Sequence, residues 1–163
     1  MAKTKLSIQT LQDLDWSIRC SQTAMRPDYV AKTVYTDKTA NGLTKCIVHW
    51  LNLNGWQAER ISTTGRYIDN SKVVTDVLGN KKKIGTGKYI KGSGTNGSAD
   101  ISATIKGRSI KIEVKIGKDK QSDAQKKYQE MIEKAGGVYF IATDFDDFMM
   151  FYKRIIENKE ATY

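Results

Sequence analysis

Two runs of strict alternation, separated by two residues, constrain this chain more than any other feature. From Ala99 to Ile105, the residues Ile101, Ala103 and Ile105 fall on one face and Asp100, Ser102 and Thr104 on the other. From Arg108 to Ile116, Ile110, Ile112, Val114 and Ile116 oppose Lys111, Glu113 and Lys115. A period of two places successive side chains on opposite faces of a strand, so both runs are expected to be strands with one buried face. Lys106-Gly107 between them has the length of a two-residue hairpin turn, and glycine takes the positive φ such a turn requires. The turn fixes the register: Ile105 pairs with Arg108, Asp100 falls opposite Glu113, and Ser98 falls opposite Lys115. Directly opposed residues hold their Cβ atoms roughly 4.5–5.5 Å apart, so Asp100, Glu113 and Lys115 are expected together on the polar face.

The flanking segments supply helices and further strands. Leu11, Leu14 and Ile18 have helical spacing within residues 4–19, and residues 20–36 read as an irregular arm. Leu43, Cys46, Ile47, Trp50 and Leu51 form the apolar stripe of a helix that stops at Asn54-Gly55. A strand is expected over residues 57–63. Ser122 and Gln125 have the spacing of a capping box, and Ala124, Tyr128, Met131, Ile132 and Ala135 give the helix after it an apolar stripe that ends at Gly136-Gly137. Residues 138–142, VYFIA, read as a buried strand. Thr143 is expected to cap a last helix with the stripe Phe145, Phe148, Met149, Tyr152, Ile155 and Ile156. This order predicts a mixed α/β domain, a central sheet flanked by helices, over residues 37–163, preceded by a helix and arm over residues 1–36.

The chain carries a net charge of +9, and the excess is not spread evenly. Residues 72–127 hold 14 Lys/Arg against 5 Asp/Glu, while the rest holds 13 of each. A surplus confined to one third of the sequence points to a polyanionic partner. Much of it lies in a Gly- and Lys-rich insertion, residues 65–98. Within it Val73, Val74, Val77 and Leu78 precede a turn at Gly79-Asn80, which predicts a basic β-hairpin with Lys81, Lys82 and Lys83 at its tip. Such a hairpin, with Lys88 and Lys91 behind it and Lys118 and Lys120 elsewhere, reads either as an arm on a nucleic-acid backbone or as a solvated loop. Gly92-x-Gly94-x-x-Gly97 leads into a strand rather than a helix. It is therefore not a dinucleotide site but an approach to Asp100 that lets backbone come close.

Other classes are excluded more simply. No run of about 18 apolar residues exists, so no membrane span is expected. The N-terminal residues have lysines but no apolar core, so no secretory signal is expected. Cys20 and Cys46 are isolated and only one histidine is present, which argues against zinc and for free thiols in the cytoplasm. His49 reads as a packed or surface histidine, and Asp144, Asp146 and Asp147 as anions in the first turn of a helix.

Opposed carboxylates on a strand pair repel each other unless something positive sits between them. Lys115 supplies one charge, and a divalent cation supplies more. Mg²⁺ takes oxygen ligands, one or two carboxylates completed by water and phosphate, which Asp100 and Glu113 can provide. A metal there would activate water and polarise a phosphodiester, with Lys115 orienting that water or offsetting developing charge and the Val114 carbonyl within reach of the ion.

The segments GSAD at 97–100 and IEVK at 112–115 resemble the split D…(E)xK signature of the PD-(D/E)XK nuclease superfamily. Ser122-x-x-Gln125, followed by Ala135-Gly136-Gly137 and a strand, resembles its VRR-NUC branch. The resemblance covers about residues 39–151. It implies a restriction-endonuclease-like core, dependence on Mg²⁺ or Mn²⁺, and cleavage of DNA, with branched or junction DNA as a conceivable substrate and a homodimer as a conceivable form. It implies that Asp100 and Glu113 are metal ligands with the Val114 carbonyl, that Lys115 is catalytic, and that Gln125 supports the site. Members often carry a glutamate on the first core helix; this chain has no acid there after Asp37, and Asn41 stands near its place. The alternative is a nucleic-acid-binding module without catalysis.

Overall fold

A computed structural model describes residues 5–62, 65–90, 92 and 94–157. The elements run α1 Leu6–Ser21, a 3₁₀ turn Pro27–Tyr29, α2 Ala40–Leu53, β1 Gln57–Arg60, β2 Arg66–Asp69, β3 Lys72–Thr75 and β4 Lys81–Ile84. They continue with β5 Gly87–Ile90, β6 Ile101–Ile105, β7 Arg108–Val114, α3 Asp123–Lys134, β8 Val138–Ala142 and α4 Phe145–Glu157. Four strands form a mixed central sheet in the order β1-β6-β7-β8. β6 is antiparallel to both β1 and β7, and β8 joins β7 in parallel after the α3 crossover.

The β6–β7 hairpin has the register that its turn dictates. Ile105 pairs with Arg108 and Ile101 with Ile112. Lys106 and Gly107 take φ of 49° and 75°, the two positive values of a type I′ turn. The alternation then separates the faces. Ile101, Ala103, Ile105, Ile110, Ile112 and Val114 are all buried. Against them pack Leu43, Cys46, Ile47, Trp50 and Leu51 of α2 and Phe145 and Phe148 of α4. Burying each aliphatic or aromatic side chain of this size contributes about 1.5–3 kcal/mol, so this face anchors the hairpin.

Helix α1 shares that core, since Ile8 and Leu11 are buried in it. Lys5 ties its start to the segment before α2 and to the start of α4, with Nζ 2.9 Å from Asp37, 3.1 Å from Asp144 and 3.5 Å from Asp146. Burial alone would lower the Lys5 ammonium, but Asp37 and Asp144 outweigh it and hold it above its ordinary value.

The far face of the sheet is covered less. α3 lies against β8, and Tyr128 meets Tyr139 edge-on. Here the structure departs from the sequence reading. β8 is an edge strand with only Ala142 buried, because no further strand among the described residues covers its outer side. α3 has no buried residue and its Met131 is exposed, so its apolar stripe shields the sheet without entering a core. The strand expected over residues 57–63 is shorter, Gln57–Arg60, and Thr63 lies outside the described residues. Thr143 does not cap α4. Asp144 does, accepting from Asp147 N–H at 2.8 Å, and Thr143 instead donates to the Asp147 carboxylate.

Between β1 and β6 the chain forms two two-stranded ribbons, β2 with β5 and β3 with β4. Lys81, Lys82 and Lys83 do not form the tip. They lie along β4, because the turn is residues 76–80 and the three lysines are needed as partners for Thr75, Val74 and Val73. All three are exposed.

Candidate active site at the end of the β6–β7 hairpin

Asp100 sits one residue before β6. Its backbone carbonyl accepts from Ile61 N–H at 2.8 Å, which extends the β1–β6 ladder and fixes it in the sheet. Its Oδ2 accepts the Val114 N–H at 2.9 Å, so the carboxylate spans to β7 at the open end of the hairpin. All peptides among the described residues are trans, and Lys115 N–H donates to Ala142 O on β8 at 2.9 Å. The Val114 carbonyl, in the same peptide as that N–H, therefore faces the Asp100 side.

Glu113 is 2% exposed, an unusual place for a carboxylate unless its oxygens are engaged. They are: Lys115 Nζ lies 3.1 Å from Oε1, Gln125 Nε2 also donates to Oε1, and the Tyr139 hydroxyl donates to Oε2 at 3.5 Å. Burial pushes the Glu113 carboxyl above its ordinary value. The Lys115 ammonium opposes this, and the negative charge of Asp100 adds to it. Lys115 is itself largely enclosed, its side chain 12% exposed, and it also meets Asp119 at 3.6 Å and Gln125 Oε1 at 3.2 Å.

Gln125 joins the helix start to this group. Its Oε1 accepts the Ser122 N–H at 2.9 Å while Ser122 Oγ accepts the Gln125 N–H, a complete capping box. The same amide touches both Glu113 and Lys115, so capping and site support are one geometry. Asp100, Glu113, Lys115 and Gln125 are thus brought together, with the Val114 backbone between them.

One residue that the sequence reading passed over belongs here, Tyr139, and one that it named, Gly97, takes a definite place. The parallel register pairs Lys111 with Tyr139 and Glu113 with Ile141, which puts Tyr139 on the polar face. Burial, then the Glu113 charge, pushes its hydroxyl up to about 12, so it is a donor at neutral pH. No signal marks it within the uniformly apolar VYFIA. Gly97, read only as a close approach, presses against the first turn of α3. A Cβ there would collide with the carbonyl group of Ala124 and stand 2.7 Å from Gln125 N, and its φ is +78°. Ser98 beside it is half-buried, and its Oγ has no hydrogen-bond partner among the described residues.

The donor set decides which metal suits the site. Among the described residues no three His, Cys, Asp or Glu side chains converge. What the hairpin offers is two carboxylates and a backbone carbonyl, all hard oxygen. The mutual repulsion of Asp100 and Glu113 is the feature a cation would relieve. This set fits Mg²⁺ or Mn²⁺, with water completing the shell, and not zinc.

The remaining candidates lie apart from this group. Lys88 is exposed on β5, Lys118 and Lys120 are exposed in the β7–α3 loop, and Lys91 lies outside the described residues. Asn41 is exposed in the first turn of α2. His49 packs edge-on to Tyr35, whose hydroxyl is 2.9 Å from its Nδ1. Asp146 and Asp147 fall in the first turn of α4, as their helix-dipole reading expects.

Fold and site together define a mixed α/β domain with a two-carboxylate, one-lysine centre at the end of its sheet. No family model and no curated protein matches the chain.

Proposed function

We propose that this protein is a divalent-metal-dependent DNA endonuclease with a restriction-endonuclease-like core of the VRR-NUC type. The observation that carries this reading is the meeting of Asp100, Glu113, Lys115 and Gln125 at one end of one hairpin. Asp100, Glu113 and the Val114 carbonyl are the groups that would hold Mg²⁺ or Mn²⁺. When bound, the ion lowers the pKa of a water and polarises the phosphate. Lys115 orients the attacking water or offsets charge on the phosphoryl oxygens, and Gln125 fixes Lys115 and Glu113 relative to each other. Tyr139 completes the hydrogen bonding of Glu113 from the neighbouring strand.

The basic surplus supplies the partner. Lys81, Lys82, Lys83, Lys88, Lys118 and Lys120 are exposed; these six, together with Lys91, are proposed to contact DNA phosphates. Branched or junction DNA in replication, repair or recombination is the proposed substrate, and a homodimer the proposed form. Cys20 and Cys46 are both free, in keeping with a reducing cytoplasm. No helix among the described residues is long and apolar enough to cross a membrane.

The test is incubation of labelled branched and linear DNAs with Mg²⁺, Mn²⁺ or chelator, for the wild type and Asp100→Asn. Cutting is expected with either metal only, and the variant is expected to bind DNA without cutting it. One observation favours a second reading, a nucleic-acid-binding module without catalysis: both Glu113 oxygens are already engaged by protein donors. Retained binding with no cutting by the wild type on every DNA and metal would establish that reading instead.

A further inference from the structure

The β3–β4 ribbon ends in a turn that the proposed chemistry does not use. Val77 is 103% exposed and Leu78 83%, the highest values among the described large apolar side chains. The turn that carries them is braced. Asp76 Oδ1 accepts from Leu78 N–H at 2.9 Å and from Asn80 N–H at 2.8 Å, and its Oδ2 accepts from the Asn80 side chain at 3.1 Å. Gly79 N–H closes on Asp76 O at 3.0 Å, and Asp76 N–H on Asn80 O at 2.9 Å. Two aliphatic side chains are thus held in water on a pre-shaped support, which lowers the ordering cost of placing them in a partner.

The charges behind the tip indicate that partner. Register pairs Thr75 with Lys81, Val74 with Lys82, and Lys72 with Ile84. Alternation then places Lys81 on one face of the ribbon and Lys72 and Lys82 on the other. These three lysines have no ion-pair partner among the described residues, whereas Lys83 is paired with Asp69 at 2.8 Å. A ribbon lying along a single phosphate backbone needs cations on one face. Cations on both faces suit a ribbon that runs between two backbones, in a groove. β1, the strand that precedes both ribbons, ends beside Asp100, where Ile61 N–H donates to the Asp100 carbonyl. At about 3.3 Å per residue, the chain from Gly65 to Asp76 reaches at most about 35 Å.

We propose that the Val77–Leu78 tip is a wedge that enters a DNA duplex between adjacent base pairs while the lysines behind it seat on the flanking phosphates. Apolar side chains on groove-binding arms insert in this way, and the steps that yield are those already weakened by a junction, a nick or a flexible pyrimidine–purine sequence. The proposal rests on the nucleic-acid reading of the site and adds the substrate feature it selects, a base step that opens.

The test uses the full chain in Ca²⁺ or chelator, so that cutting does not intervene. Nicked and intact duplexes carry 2-aminopurine at successive positions, and its fluorescence rises where a base unstacks. Wild type is expected to brighten one or two adjacent positions and to prefer the nicked duplex. Val77→Ser/Leu78→Ser is expected to lose the brightening and to bind at least about tenfold more weakly, the loss expected when two aliphatic groups no longer leave water. Leu78→Met, still apolar, is expected to keep both signals. Both side chains are solvent-exposed, so the circular dichroism spectrum is expected to be unchanged. Unaltered 2-aminopurine signals in the double serine variant would overturn the wedge, as would absence of duplex binding by the wild type. Loss of binding to phosphatidylserine vesicles with DNA binding intact would overturn it in favour of a membrane-inserting tip. Cutting in Mg²⁺ is scored separately, so a wedge without cutting, or cutting without a wedge, shows which proposal has failed.

Discussion

Replacing Gly97 by alanine tests the closest contact that supports the site. Gly97 has φ of +78°, and an added Cβ would run into the carbonyl group of Ala124 and approach Gln125 N to 2.7 Å. Both obstacles are helix backbone, which cannot swing aside as a long side chain would. Two costs follow. An L-residue in the left-handed region costs about 1–2 kcal/mol. Forcing an extra carbon into a filled space costs about 1–3 kcal/mol more. Gly107 is the internal control, because it has φ of +75° with nothing within 4 Å of its Cβ position. Gly107→Ala therefore carries only the first cost, about 1–2 kcal/mol, and Gly97→Ala both, about 2–5 kcal/mol. Urea unfolding followed by circular dichroism measures the difference. With a slope of about 1–3 kcal/mol per molar urea, the two midpoints separate by roughly a third of a molar or more. The same variant lifts the segment bearing Asp100 from the start of α3, so metal-dependent cutting is expected to fall further in Gly97→Ala than in Gly107→Ala. Equal midpoints for the two variants would refute the close approach of Gly97 to the first turn of α3.

Three further outcomes are expected. Ser122→Ala and Gln125→Ala each remove half of the capping box and are expected to destabilise the chain by about 1 kcal/mol, read by thermal unfolding, but only Gln125→Ala is expected also to depress cutting. Ile112→Ala leaves a cavity beneath Glu113 in the best-packed face of the sheet and is expected to cost about 2–5 kcal/mol in urea unfolding. Burial, then the Lys45 charge, holds His49 below its ordinary 6.5, so the folded chain takes its proton later than the unfolded chain as pH falls. Stability is accordingly expected to drop as pH decreases from about 6.5 toward the lowered folded value and then to level off, a step that unfolding midpoints across pH should show in the wild type and lose in His49→Gln.

The hairpin that carries the acids is written in local chemistry. Alternation from Ala99 to Ile116 assigns the two faces, and Lys106-Gly107 sets the pairing, because a two-residue turn leaves one register. Helix α2 was equally plain from its stripe, and the capping box of α3 from Ser122 and Gln125, since these depend on neighbours three or four residues away. Contacts formed across the fold left no such trace. Tyr139 reaches Glu113 only because β8 joins β7 in parallel after a helix, a register that no tight turn between the two strands dictates. The exposure of α3 and β8 followed from strand order, since an edge strand can carry the same apolar residues as a central one. Gly97 announced a need for backbone space without naming the helix that claims it. Residue periodicity encodes which side of an element is apolar. Which element meets that side depends on distant parts of the chain competing for the same surface, and that competition is resolved only when the whole domain has folded.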